Sequence, residues 1–173
     1  AQPSIATVNF KTVFKGYWRT KLADKKILAK QKELDKELKK HIEGQNALGQ
    51  EIQRIAQGLN LPNLTPLQQQ RRQETFAKKR REYDDNGKAI QIFRNGKVKK
   101  IQEDDRKERD AIVGDIKVVV GGKAKQGGYT LVLDKGSLTV LFTDNSADLT
   151  DAVLTQLNLN DPAKVAPPAP KKK

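Results

Sequence analysis

Short runs of alternating apolar residues stand at the two ends of the chain, and a long polar stretch with sparse apolar positions at helical spacing separates them. In Ile5-Ala6-Thr7-Val8-Asn9-Phe10 both alternating sets carry apolar residues, which predicts an interior strand covered on both faces. Thr12 to Thr20 brings Val13, Phe14, Tyr17 and Trp18 together at helical spacing and predicts a helix packed on the sheet. Near the other end, Tyr129 to Asp134 and Leu138 to Phe142 read as two strands, and the turn Asp134-Lys135-Gly136-Ser137 predicts that they form a hairpin. Asp148 is placed to cap a last helix on which Leu149, Val153 and Leu157 share one face. Strands this short need partners, so the two ends are expected to come together in one body.

The intervening stretch has a seam of alternating four- and three-residue steps: Ile27, Gln31, Leu34, Leu38, His41, Gln45, Leu48, Ile52, Ile55 and Leu59. This is coiled-coil spacing, with polar residues that weaken and loosen it. Gly58 and Asn60-Leu61-Pro62-Asn63 break the helix, and Thr65-Pro66-Leu67-Gln68 restarts it with a capping box and a proline in the first turn. The second helix is expected to return antiparallel. Phe76, Tyr83 and Ile90 keep a seven-residue step, whereas Ile101 to Ile112 is a step of eleven. That change of period, with Gly87 and Gly96 inside the run, predicts a helix that bends. Gly121-Gly122 and Gly127-Gly128 are expected to end it. The resulting organisation is α+β: a discontinuous β-rich body of residues 1–24 and 111–160, a helical arm of residues 25–110, and a mobile basic tail of residues 161–173 that is too rich in proline and lysine for regular structure.

Composition favours this division over a compact sphere. Aromatic residues make up 5% and charged residues 32%, which is poor core-forming material for 173 residues unless helices stay exposed and the body buries surface by oligomerising. The net charge of +13 suits negatively charged partners without choosing among phosphates, anionic lipid and acidic protein. No apolar run approaches the ~20 residues that span a bilayer as a helix. The start at Ala1-Gln2-Pro3 is compatible with an export signal already removed.

Candidate chemistry is sparse. His41 is the single histidine and there is no cysteine, so no zinc pattern and no nucleophile, base and orienter set can be drawn. The glycine pairs lie outside any phosphate-binding loop. Neither enzyme activity, metal nor cofactor is therefore expected. The basic pairs Lys39-Lys40 and Arg71-Arg72, with Lys79 and Arg80 beside Phe76 and Tyr83, are the candidate contact residues of the arm. By charge alone, a coiled-coil nucleic-acid-binding or ribosome-associated protein is an alternative, although interspersed acids and the lack of a groove-reading motif speak against a specific nucleic acid. A passive spacer between two partners is a third reading.

Ile5 to Phe10 followed by Val13-Phe14, Tyr129 to Asp134, and Asp148 to Leu157 closely resemble the Skp/OmpH family of periplasmic chaperones, and the order of elements agrees from about Ile5 to Leu159. The resemblance implies a homotrimer whose strands form a small barrel, with helical hairpins around a cavity that holds unfolded outer-membrane proteins without ATP. It also implies a periplasmic location. Anionic lipid or lipopolysaccharide would be a further partner of the basic arms. On this reading Ile5, Val8, Phe10, Leu131, Leu133, Leu138, Val140 and Phe142 build the body and its subunit contacts, and aspartate at Val140 would release monomers by placing a charge in the sheet.

Overall fold

The computed structural model describes residues 4–165. In chain order the elements are β1 (Ile5–Val8), α1 (Phe10–Gly16), α2 (Trp18–Leu59), α3 (Pro66–Gln126), β2 (Leu131–Asp134), α4 (Thr150–Leu157) and α5 (Pro162–Val165). The fold is mostly helical with one small sheet. Two units separate: one holds the chain up to Ile27 and from Asp104 onward, and the other holds Leu28–Glu103.

In the first unit β1 is the central strand. It pairs in parallel with β2 in the register Ile5↔Leu131 to Val8↔Asp134. On its other side Thr7 donates to the Ala147 carbonyl and accepts from the Leu149 amide, both at 2.8 Å. Ala6, Thr7 and Val8 are consequently buried on both faces, as the two apolar sets of the strand predict. Asn9 caps α1 by accepting from the Thr12 amide at 3.0 Å, and Asp134 at the end of β2 accepts from the Phe10 amide at 3.1 Å. The helix start is thus held by the end of the neighbouring strand. Val13, Ile112, Ile116 and Val153 are fully buried, and Val8, Tyr17, Ala23 and Leu157 complete the core. At Gly16 a Cβ would lie 2.8 Å from a Leu154 methyl, so glycine is what lets the end of α1 approach α4.

The expected hairpin is corrected here. Leu138 to Phe142 forms no strand, and Leu138, Leu141 and Phe142 are 97%, 94% and 86% exposed. Both edges of β1 are already occupied, and no layer among the described residues covers the segment, so pairing there would bind backbone without burying side chains. Asp134 is spent on the amides of Phe10 and Gly136, and Lys135 reaches Asn145 and Asp148. Val140, half-buried, therefore lies outside any sheet, and an aspartate there would not place a charge in one within a single chain.

Two further expectations are corrected. Helix α3 runs through Gly121-Gly122 and ends only at Gln126, where the Tyr129 amide donates to the Ala124 carbonyl, the Gly128 amide to the Lys125 carbonyl, and Gly128 takes φ +71°. This six-to-one and five-to-two pattern is the Schellman stop, which needs a left-handed residue at one position only. Ala124, buried on the body, anchors this last stretch beyond two glycines that each cost the helix ~1 kcal/mol. Pro162–Val165, expected to lack regular structure, is a helical turn because Asp161 accepts from the Ala163 amide ahead of a proline that suits the first turn. The rest of the expected tail, residues 166–173, lies outside the described residues.

In the second unit the helices run antiparallel. Glu37 meets Lys97 at 2.9 Å, His41 packs at a tilt against Phe93 with ring centroids 4.9 Å apart, and Glu51 meets Lys79 at 3.2 Å. Near the turn, Arg72 donates to the Gly58 carbonyl at 2.7 Å. Leu34 and Ile52 are buried and most of the seam is half-buried, but Gln31 and His41 are exposed, so the seam opens at its polar positions. Gln45 donates to the Tyr83 carbonyl and accepts from the Asn86 side chain at 2.7 Å, a polar layer that sets the register. Thr65 and Gln68 form the reciprocal box expected of them, with the Thr65 amide on Gln68 at 3.0 Å and the Gln68 amide on Thr65 Oγ1 at 3.3 Å.

One polar lock of the body predicts an acid response. Burial pushes the Asp148 carboxyl up, but hydrogen bonds from Lys135 Nζ at 2.6 Å and from the Thr150 hydroxyl and amide outweigh it, leaving the group below its ordinary value of 3.8. A depressed carboxyl contributes stability that is present above the unfolded value and is lost as pH falls through the folded one. Asp148→Asn should therefore lower the midpoint of thermal unfolding at neutral pH and narrow its gap to the parent in acid below the ordinary value of 3.8. A gap of equal size at both pH values would refute this role.

Candidate interaction surfaces

The residues expected to build the body divide once the chain is folded. Val8 is in the core and Phe10 is half-buried, stacked on Phe14 with centroids 6.2 Å apart. Ile5, Leu131, Leu133, Leu138 and Phe142 remain exposed, with Val140 half-buried. Leu131 and Leu133 lie on β2, whose second edge has no strand partner among the described residues. An unpaired strand edge beside exposed leucine and phenylalanine is a surface that gains from a partner.

The same body carries an ionic girdle. Arg19 bridges Glu108 at 2.9 Å and Asp115, and Tyr17 donates to Asp115 at 3.1 Å. Arg109 joins Asp24 at 3.0 Å and Asp105 at 2.9 Å, and lies over the Phe14 ring. Hydrogen bonding to Glu108 raises the pKa of Arg19, and burial followed by the Asp115 contact raises that of Tyr17. These charges face one another and fix helix register, which leaves them little freedom to recruit a partner.

Among the arm candidates, Lys39, Lys40, Arg71 and Arg80 are exposed. Phe76 and Tyr83 are half-buried, and Tyr83 sits close enough that a Cβ at Gly49 would lie 3.4 Å from its ring. Arg72 is spent on the Gly58 carbonyl, and Lys79 is hydrogen-bonded to Glu51 and Glu82, which raises its pKa. The structure adds surface residues that were not singled out: Leu28, Ile42, Leu61, Leu67 and Ile92 are all more than half exposed. Their signal in the sequence is that they are apolar but off the four-three seam. Single apolar side chains scattered among charges can make many weak contacts and no single tight one.

Among the described residues no group of histidine, cysteine, aspartate or glutamate could hold a metal, and no helix is long and apolar enough to cross a membrane.

The comparisons with known proteins point in one direction. The profile of the OmpH family, outer membrane protein (OmpH-like), matches residues 4–157. The crystal structure of an OmpH-like protein from Caulobacter crescentus CB15, described as a candidate outer membrane chaperone, superposes with a TM-score of 0.74 at 13% identity, covering 91% of this chain and 85% of that one. At that identity the likeness speaks for the fold. No curated protein sequence matches significantly.

Proposed function

The chain belongs to the OmpH-like family of outer membrane proteins, and from that premise we propose that it is an ATP-independent holdase chaperone of the periplasm that keeps unfolded outer-membrane proteins from aggregating. The family is not an enzyme family. The observation that carries the reading is the arm surface: Leu28, Ile42 and Ile92 stand exposed and isolated among cations such as Lys39, Lys40 and Arg80. A client is held by many weak contacts and keeps its freedom to leave and fold. Ionic attraction extends capture without adding much affinity, because exposed charges more than about 10 Å apart are screened in ordinary salt. Acidic clients and anionic lipid or lipopolysaccharide are the partners that the +13 charge favours.

The working form we infer is a homotrimer. The free edge of β2 and the exposed Leu138, Leu141 and Phe142 support it, since three copies could supply each other the strand neighbour and cover that one chain lacks. Dilution of a denatured outer-membrane barrel protein into buffer should scatter light strongly, and an equimolar or higher amount of the trimer should suppress the scattering and yield a soluble complex. Unchanged scattering would sink the holdase reading.

A further inference from the structure

The first turns of α2 and residues 161–163 enclose a cleft of about 320 Å³. Trp18, Lys21, Leu22 and Lys25 follow one another at helical spacing and form one wall, while Asp161, Pro162 and Ala163 form the other. Its size is at the small end of the ~300–1,000 Å³ range of ligand sites, enough for one large side chain and its adjoining backbone. The Trp18 ring packs edge-on against Tyr17 at 5.9 Å, and two features leave the wall unfinished. Leu22 is 41% exposed beside it. Lys21 and Lys25 are exposed and make no ion pair among the described residues, whereas the single carboxylate of the cleft, Asp161, is engaged with the Ala163 amide at 3.0 Å.

We propose that this cleft is a client-binding site of the body that seats an aromatic side chain of an unfolded strand whose neighbouring residue is acidic. The site deepens the chaperone reading and rests on it. Strands of outer-membrane barrels alternate apolar with polar residues and carry aromatic girdles at both interfaces, so an unfolded client offers many such pairs. The aromatic ring covers Trp18 and Leu22, and the client carboxylate lies between the two lysines. The sign of the charge sets the preference: two free ammonium groups face one engaged carboxylate.

Trp18 is the only tryptophan, so its emission reports this cleft without labelling. The probe is a short, soluble, acetylated peptide with alternating threonine and a single phenylalanine followed two residues later by glutamate. Added to the full chain, it should shift Trp18 emission to the blue with saturation. A version with serine for phenylalanine should give no shift, and one with lysine for glutamate should bind about fivefold more weakly, as the loss of one or two exposed ion pairs allows. Leu22→Asp should abolish the response, and the double variant Lys21→Glu, Lys25→Glu should reverse the preference between the glutamate and lysine peptides. Unmoved emission in a protein that still suppresses aggregation overturns the cleft and leaves the chaperone reading standing. A saturable shift in a protein that does not suppress aggregation sinks the chaperone reading instead. A shift produced by raising protein concentration alone, or by deleting residues 166–173, places a second copy or the chain's own tail in the cleft, and either overturns the proposal.

Discussion

Ile116→Ala is expected to destabilise the body by about 2–5 kcal/mol, the range for truncating a fully buried isoleucine to alanine. Ile116 is 0% exposed, and its cluster contains Val13, Tyr17, Ile112 and Val153, which come from α1, α3, α4 and the link between α1 and α2. The substitution removes methyl and methylene groups from the place where these elements meet, and a small rigid core closes such a cavity only in part. Whole domains are stable by ~5–15 kcal/mol, so a body with so few buried side chains would lose a large share of its margin. Chemical denaturation followed by Trp18 emission should show a lower midpoint with an unchanged slope. Val118→Ala, two residues along the same helix at 76% exposure, is the internal control and should stay within about 0.5 kcal/mol of the parent. Equal midpoints for the two variants would show that α3 does not pack as described.

Phe142→Asp should have the opposite profile: a folded chain and a broken assembly. The side chain is 86% exposed in the single chain, so aspartate there costs the isolated fold almost nothing. If copies cover this segment, as the inferred trimer requires, the same aspartate becomes an unpaired charge at an apolar contact, with a penalty of several kcal/mol at each copy. Sedimentation equilibrium should then report a mass near the 19.4 kDa of one chain, with helical content retained. A variant that keeps the mass of the parent assembly would remove Leu138 to Phe142 from the subunit contacts. Together the two substitutions separate the core of the chain from what only other copies would complete.

Much of the local structure is legible because its causes are local. Thr65 and Gln68 satisfy each other's amides within one turn, so the restart of the helix can be read from four residues. The seam from Ile27 to Leu59 is legible for the same reason, since helical spacing puts those side chains on one stripe wherever the partner helix lies. The availability of the candidate arm residues has no such local cause. Lys79 and Arg80 are neighbours of like charge, yet Lys79 is tied to Glu51 across the helix pair while Arg80 is exposed. Only the register of the second helix decides which one is available, and that register rests on the Gln45, Tyr83 and Asn86 layer.

By itself the sequence determined the two long helices and the interior character of β1, because spacing and caps act within a few positions. The tertiary structure decided which strand β1 takes as its partner. A turn after Asp134 looks like a hairpin signal locally, but β1 and β2 pair in parallel across more than a hundred residues, and a parallel pair needs a long connection that no local pattern announces. It also decided that Leu138 to Phe142 stays outside the sheet. Whether an apolar run becomes a strand depends on a free edge and a covering layer, and within one chain those belong to the packing.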